Sequence, residues 1–558
     1  MKIKFLSFLL LIVIFVSACK MPVNEREEKE LQNVLNTDAE LSALLQTKMT
    51  QNDSTFVSNV VDIEVVPLIK EFYALRRFFP VWTNNCTSNK YCIQAIDLLD
   101  SALYFGLNPK IYFTDSLKQK VAVLDSTTIS ENKVQLAYEL EIQLTAIVLN
   151  FMNHLKNGVL KPSYDFLDIE RNSLTADLPN FLNSAFVFPD FQDALLQVQP
   201  SSSYYKNLQN ALVNYLKTTE INEKTYYISD FKVDSVKALK QAIVALYGLK
   251  YLQDSLEVDT SKIFTALRLF QKQHGIEVDG EIGKDTREEL MISTSERYKQ
   301  ILVNLERLRW ESAMPNYYVF VNIPAYTLYI IENDSLLKTF KVVTGRPTTA
   351  TPQVTSEIRQ IISYPVWNVP YSISSQEILP KAKNDSTYLQ RNGYNIYDGN
   401  RNRINPNDVN WSELNSGNFN YRIQQEEGSG NALGTIKFIF PNKYHVYLHD
   451  TPSKRLFNNT IRAYSHGCMR VQNPIDFGRF LLEKESHIIS GDSLQNLMNE
   501  KVTKTIRLTA PVPIFVRYFT CSTTDDGNVL FYKDIYDKDS TLKKILWQKL
   551  SFENSVSN

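Results

Sequence analysis

Near residue 316 the hydrophobic pattern of this chain changes period, and that change limits what it can fold into. Before it, apolar residues recur at spacings of three and four, as in "VQLAYELEIQLTAIVLNFMNHL", "FQDALLQVQ" and "YYKNLQNALVNYL". That spacing predicts helices with one buried face. After it, "YYVFVNIPAYTLYIIEND" alternates, "ENDS" makes a hairpin turn, and "LLKTFKVVTGRP" pairs naturally with it. "EIRQIISYPVWNVP", "ALGTIKFIFPN", "YHVYLHD", "IRLTAPVPIFVRYFT" and "GNVLFYKDIY" read as further strands. The expected class is therefore α+β multidomain. A helical scaffold covers 61–234, a small helical unit 235–293, and an amphipathic connecting helix, "ERYKQILVNLERLRW", falls within 294–315. A mostly antiparallel β domain covers 316–510, and strands in 511–558 complete the body.

With 558 residues, 44% hydrophobic and 22% charged, the chain can build sizeable cores. A net charge of −1 supplies no global field to recruit nucleic acid or an anionic membrane. The first residues read as an export signal: Lys2 and Lys4 precede an apolar run from Phe5 to Val16. The sequence Val16-Ser17-Ala18-Cys19 resembles the lipobox of bacterial lipoproteins. That resemblance implies cleavage after residue 18, lipidation of Cys19, and anchoring to a membrane of the cell envelope, facing the periplasm. The polar stretch 19–60 then reads as a tether. Export favours disulfides, and Cys86 and Cys92 enclose "TSNKY", so they are expected to pair as a loop staple. Cys521, in a strand-like run, is expected to be a buried thiol, and the lone His154 structural.

Two segments read as more than scaffold. In "LRLFQKQHGIEVDGEIGKDT", Ile263, Phe264, Leu267 and Phe270 fall on one helix face, Gly275 sits where a helix C-cap belongs, and Asp279-Gly280 makes a turn. Asp285 or Thr286 is placed to start the next helix. This stretch resembles the three-helix peptidoglycan-binding module, which implies wall binding or docking. Within the β domain, residues 372–430 open with a helix, "SSQEILPKAK", and continue rich in Asn, Tyr and Gly. Irregular loops longer than about 12–15 residues are uncommon unless functional, so this insertion is expected to be a lid.

The chemistry concentrates in "YLHDTPSKRLFNNTIRAYSHGCMRV". A metal is not expected: His445 and His449 lie on a predicted strand, which holds them roughly 13 Å apart, too far for one zinc. Cys468 lies between polar residues, a poor core position, and Gly467 before it lets a backbone approach closely. A nucleophile remains, with His449 or His466 as its base and backbone N–H groups around His466, Gly467 and Cys468 as an oxyanion pocket.

His449, fifteen residues, then "SHGC" is the pattern of the YkuD-domain L,D-transpeptidases, and "YPVWNVPYSISSQEILPK" and "GTIKFIFPNKYHVYLHDTP" are similar to the YcbB-like subgroup. The resemblance implies Cys468 as nucleophile, His449 as base, and Asp450 orienting the base through its carbonyl. It also implies His466 and Gly467 at the oxyanion pocket, and Arg470, Tyr464, Tyr447 and Trp367 contacting substrate. The implied reaction joins donor and acceptor stem peptides of peptidoglycan, needs no cofactor or metal, and is sensitive to carbapenems. Trimming by water, attachment of a protein amine to the wall, and a silent wall-binding lipoprotein remain alternatives.

Overall fold

The computed structural model describes residues 25–50, 65–128, 131–160, 177–252, 259–311, 313–385, 387–483 and 491–550. The expected leader and Cys19 lie outside the described residues. The chain divides into two compact units, one of Met1–Val159, Leu174–Gln199 and Leu550–Asn558, the other of Leu160–Ser173 and Pro200–Lys549. Among the described residues no helix is long and apolar enough to cross a membrane.

The first unit is helical: α1 (Glu25–Thr50), α2 (Val66–Leu75), α3 (Lys90–Asp100), α4 (Thr114–Ser126), α5 (Glu131–Asn157), α6 (Leu178–Ala185) and α7 (Phe191–Leu196). A short hairpin, β1 (Thr83–Asn84) with β2 (Thr87–Ser88), precedes α3. Its centre is the fully buried carboxylate of Glu141 on α5. That group accepts from the N–H groups of Val81, Trp82 and Thr83 and from the hydroxyls of Thr83 and Tyr73 at 2.8–3.0 Å. A buried carboxylate is tolerated because its lone pairs are this fully used. His154 is structural here, bonded through Nδ1 to the Tyr112 hydroxyl at 2.9 Å.

Two expectations are corrected in this unit. The stretch 19–60, expected as a partly helical tether, contains α1, which packs rather than standing free: Leu41, Leu45 and Met49 are buried. The expected Cys86–Cys92 disulfide is absent, and both are free, buried thiols. The local reason is visible. Asn89 caps α3 through the N–H groups of Tyr91 and Cys92, so Cys92 enters the core on the first helical turn. Cys86 sits at φ +54° beyond the hairpin's Asn84, its sulfur 4.0 Å from the Thr37 carbonyl.

In the second unit, α8 (Ser203–Thr218) leads to the small module of α9 (Ser235–Gly248), α10 (Thr260–Gln273) and α11 (Lys284–Leu290). Ile263, Leu267 and Phe270 are buried as expected, but Phe264 faces out at 45% exposure. Gly275 follows α10 at φ +60°, where a Cβ would lie 2.8 Å from the Phe531 carbonyl. The buried Gln271 amide explains the Phe-Gln and Asp-Gly pairing. Its Nε2 donates to Asp279 Oδ1, Glu281 O and Thr286 Oγ1, and its Oε1 accepts from Gly280 N–H. Helix α11 starts from Gly283, without a side-chain cap, rather than from Asp285 or Thr286.

The connecting helix α12 (Thr294–Arg309) is not amphipathic as expected: it is buried along every side except at Glu296 and Lys299. Its polar residues are matched internally. Arg297 pairs with Glu289, Arg307 with Asp539 at 2.6 Å, and Asn304 Nδ2 donates to Thr520 Oγ1 at 2.8 Å. Polar residues on such a helix can be buried only because each meets a partner in another segment.

The strands are β3 (Tyr317–Asn322), β4 (Thr327–Glu332), β5 (Ser335–Gly345), β6 (Val354–Ser363), β7 (Trp367–Asn368), β8 (Tyr394–Tyr397), β9 (Arg403–Ile404), β10 (Arg422–Gln425), β11 (Ile436–Ile439), β12 (Leu448–His449), β13 (Ala463–Ser465), β14 (Met469–Val471), β15 (Lys504–Arg517), β16 (Cys521–Thr523) and β17 (Val529–Phe531). The main sheet runs β13-β5-β14-β12-β11-β6-β15-β3-β4, and β4 also pairs with β5, which closes it into a barrel. Its pairings are antiparallel apart from β12–β14, β15–β3 and β13–β5. Alternation sends Val319, Val321, Leu328, Ile330, Val342, Ile436, Phe438, Leu448, Met469, Val471, Ile514 and Val516 into one core. Helices α13 (Pro474–Glu483) and α14 (Gly491–Glu500) add Phe477, Leu481 and Leu494 to it. Cys521 on β16 is a buried thiol.

The insertion has a fold of its own. Strands β7-β10-β8-β9 form a second sheet, beside helical pieces Tyr371–Ile373, Ser374–Ile378 and Leu379–Asn384. Ile378, Leu379, Ala382, Leu389, Phe419 and Ile423 make its separate core. It therefore begins at Trp367, earlier than expected.

Candidate active site

The register of three short strands assembles the site. Strand β11 pairs antiparallel with β12, setting Lys437 opposite His449, and β12 pairs parallel with β14, setting His449 opposite Arg470. One residue back, Met469 N–H donates to Tyr447 O at 3.0 Å, so Cys468 lies alongside Tyr447. Side chains alternate across a strand, so Lys437, Tyr447, His449, Cys468 and Arg470 share the face opposite the barrel core. The parallel pairing exists because the chain leaves the sheet after His449 and re-enters beside it at Cys468. The expected strand over 444–450 is shorter than its pattern suggests. Asn442 holds a turn through Phe440 O, Val446 O and Val446 N–H, and His445 adopts φ +56°. Only Leu448 and His449 remain as strand.

His449 is buried and fixed. Its Nδ1–H donates to the Asp450 carbonyl at 2.5 Å, which leaves Nε2 as an acceptor. The Asp450 carboxylate is held in turn by Thr435 N–H at 3.0 Å, Thr435 Oγ1 at 3.1 Å and Lys454. Gly434, at φ +63°, makes room for it: a Cβ there would lie 2.4 Å from Asp450 Cγ.

Cys468 follows a tightly tied turn. Ser465 Oγ accepts from Gly467 N–H at 3.2 Å and donates to Cys468 O at 2.5 Å. From the loop after β5, Thr349 Oγ1 donates to Ser465 O at 3.0 Å and Thr351 Oγ1 donates to Gly467 O at 2.9 Å. Gly467 takes φ +111°, a region that favours glycine. The expected oxyanion pocket is corrected here. The Gly467 N–H is already used, whereas among the described residues the His466 and Cys468 N–H groups have no partner. The His466 ring turns away from the sulfur, to Glu377 Oε1 and Arg346 Nη2, each at 2.5 Å.

The electrostatics favour neutral groups. Burial pushes the Cys468 thiol up to about 11, against the opposing pull of the Tyr447 N–H, the Tyr447 hydroxyl, Arg470 and Lys437. Burial, followed by the Arg470 charge, holds His449 down at about 3. Among the described residues no hydrogen bond joins His449 to Cys468. From a strand spacing of about 4.8 Å and two rises of about 3.3 Å, their Cα atoms are about 8 Å apart. Burial thus favours the protonated thiol and the unprotonated imidazole.

The insertion meets this face at two places. The Trp367 side chain acts on the Tyr447 hydroxyl, lowering its affinity for its proton, and Glu377 joins His466 and Arg346. Tyr464 does not join the cluster. It alternates with the inward Ser465, is 43% exposed, and accepts from Asn459 at 3.0 Å. Sequence reasoning missed Lys437, Ser465, Thr349, Thr351, Arg346 and Glu377. Lys437 carried the one available signal, a lone charge in the apolar strand "TIKFIF".

Comparison with known proteins shows what the chain is similar to. Residues 316–489 match the family model YkuD, described as an L,D-transpeptidase catalytic domain. Residues 67–212 match a scaffold domain, and 232–290 a "Putative peptidoglycan binding domain". A Haemophilus influenzae protein named "Putative L,D-transpeptidase" is 24% identical over 527 residues, spanning 93% of this chain and 88% of the relative. A Stackebrandtia nassauensis L,D-transpeptidase structure overlaps 54% of this chain and 97% of its own, at 14% identity and TM-score 0.18. One from Mycobacterium smegmatis overlaps 36% of this chain and 58% of its own, at 13% identity and TM-score 0.17.

Proposed function

Because this chain carries a YkuD L,D-transpeptidase catalytic domain together with a scaffold domain and a peptidoglycan-binding domain, we propose that it cross-links peptidoglycan stems 3→3 through a Cys468 thioester. The observation that supports this most is the placement of His449 and Cys468 on one face of adjacent parallel strands, with Nε2 left as the acceptor.

The cycle balances without a cofactor. The Cys468 sulfur attacks the carbonyl of the third residue of a tetrapeptide stem as its proton passes to His449 Nε2. The oxyanion forms beside the free Cys468 N–H, an interaction whose loss typically costs about 2.7–4 kcal/mol. The C–N bond breaks, and His449 returns the proton to the departing D-alanine amine. An amine on a second stem then attacks the thioester and gives its proton to His449. The C–S bond breaks, the sulfur recovers the proton, and the stems are joined. The unprotonated imidazole supplies the acceptor that base catalysis needs, and a substrate that re-solvates or charges the site would have to narrow the gap between the two groups. The insertion would hold the stems and exclude water, which as acceptor gives only trimming. Lipidation at Cys19 would anchor the protein in the cell envelope facing the periplasm, and carbapenems would acylate the same sulfur.

Tetrapeptide muropeptides incubated with the full chain and analysed by mass spectrometry test this reading. Dimers lacking one D-alanine support it. Tripeptides alone would replace it with carboxypeptidase activity, and unchanged substrate retained with sacculi would reduce it to wall binding. Both covalent outcomes, and a carbapenem adduct, should vanish in Cys468→Ala. Fatty-acid labelling lost in Cys19→Ser tests the anchor.

A further inference from the structure

In the second unit four buried arginines meet a carboxylate, and Arg462 is held by the carbonyls of Val342, Asn459 and Tyr326. Arg297 pairs with Glu289, Arg307 with Asp539, Arg309 with Glu306 at 3.3 Å, and Arg517 with Glu311 at 2.5 Å. Lys437 and Arg470 are half-buried and flank His449 in register, yet no ion pair or hydrogen bond to either is found among the described residues. The Arg470 Nε is fully buried without a partner, and Lys437 Nζ rests 5.6 Å from the centroid of the Tyr447 ring. The nearby carboxylates are engaged elsewhere, Asp450 by Thr435 and Lys454, Glu377 by His466 and Arg346. Partly desolvated cations without a counter-charge are costly, and an anion on this face would relieve both.

The proposed reaction, on which this inference rests, brings such an anion. A tetrapeptide donor ends in a free α-carboxylate only three bonds from the carbonyl that Cys468 attacks. A pentapeptide carries a neutral amide at that place. We propose that Lys437 and Arg470 form a carboxylate subsite that reads the C-terminal carboxylate of the donor stem, and that Lys437 is a specificity-determining residue for stem length. The Arg470 fork can accept the carboxylate directionally, while Lys437 acts as a point charge beside it. Burial lowers both cations' affinity for protons, and a bound carboxylate opposes that shift.

Binding separates this claim from the catalytic one. Calorimetry on the full chain carrying Cys468→Ala would compare a synthetic tetrapeptide stem ending in D-alanine with its C-terminal amide. The acid should bind about tenfold or more tighter, the scale of a hydrogen bond to a charged group. Adding Lys437→Met should remove most of that preference while leaving amide affinity within about twofold, and Lys437→Arg should restore it. Equal binding of acid and amide, or an equal loss for both in a Lys437→Met protein with native melting behaviour, overturns the subsite. If Lys437→Met does not fold, Lys437→Gln and Lys437→Arg carry the comparison. A clear acid preference without any transfer by the wild type would keep the subsite and sink the proposed reaction instead.

Discussion

Tyr447 lies alongside Cys468 across the parallel strands, and its backbone N–H and its hydroxyl both lower the thiol's affinity for its proton. Trp367 of the insertion acts on the same hydroxyl, opposing the rise that burial and the Cys468 sulfur give it.

That link makes Tyr447→Phe informative. Its hydroxyl stabilises the thiolate, so removing it should raise the thiol further above about 11. Alkylation by iodoacetamide at pH 8 should slow about three- to tenfold, for an interaction of about 1 kcal/mol. Faster alkylation would show that the hydroxyl does not act on the sulfur.

Stability should fall at both ends of the pH range. His449 is held at about 3 in the fold against 6.5 ordinarily, so unfolding takes up a proton between those values. Its contribution is complete above about 6.5 and is lost as pH falls toward 3. Cys468 is raised to about 11 from 9.0, so its contribution is complete below 9.0 and is lost as pH rises toward 11. Across pH, melting curves should have a shallower acid limb in His449→Gln and a shallower alkaline limb in Cys468→Ala, with His274 and the thiols of Cys86 and Cys92 supplying the remaining slope. Unchanged slopes in both variants would contradict the assignment.

Gly434→Ala should disturb the site from behind. The new Cβ would meet Asp450 at 2.4 Å with the backbone at φ +63°. A loss of about 1–3 kcal/mol is expected from the backbone conformation alone, with lower turnover as the Asp450 carbonyl shifts under His449. Gly283→Ala is the control: nothing lies within 4 Å of its added carbon. Its stability should stay within about 0.5 kcal/mol of the wild type.

The two scaffold thiols give a simple check. Cys86 and Cys92 are free, with burial raising them to about 11 and about 12. They should resist a thiol reagent in the folded protein and react on unfolding without prior reduction. A melting temperature that drops on adding reductant would restore the disulfide.

The candidate site was legible because the information for it is local. The change of period near 316, the interval from His449 to Cys468, and the Phe-Gln, His-Gly and Asp-Gly spacing are all properties of neighbouring residues. They were enough to locate the barrel strands, the small module and the sulfur. Other readings failed where distant segments decided. The connecting helix is polar in sequence, but Glu289, Thr520 and Asp539 meet its side chains and allow it to be buried.

The sequence alone determined which groups this protein can use: one thiol beside an imidazole in a glycine-containing turn, and an insertion long enough to cover them. Only the tertiary structure decided that Lys437 and Arg470 flank His449, that Cys468 lies alongside Tyr447, and that His466 turns to Glu377. The physical reason is register. Strands pair across long intervals, and a slip of one residue would turn Lys437 into the core and expose Phe438 in its place.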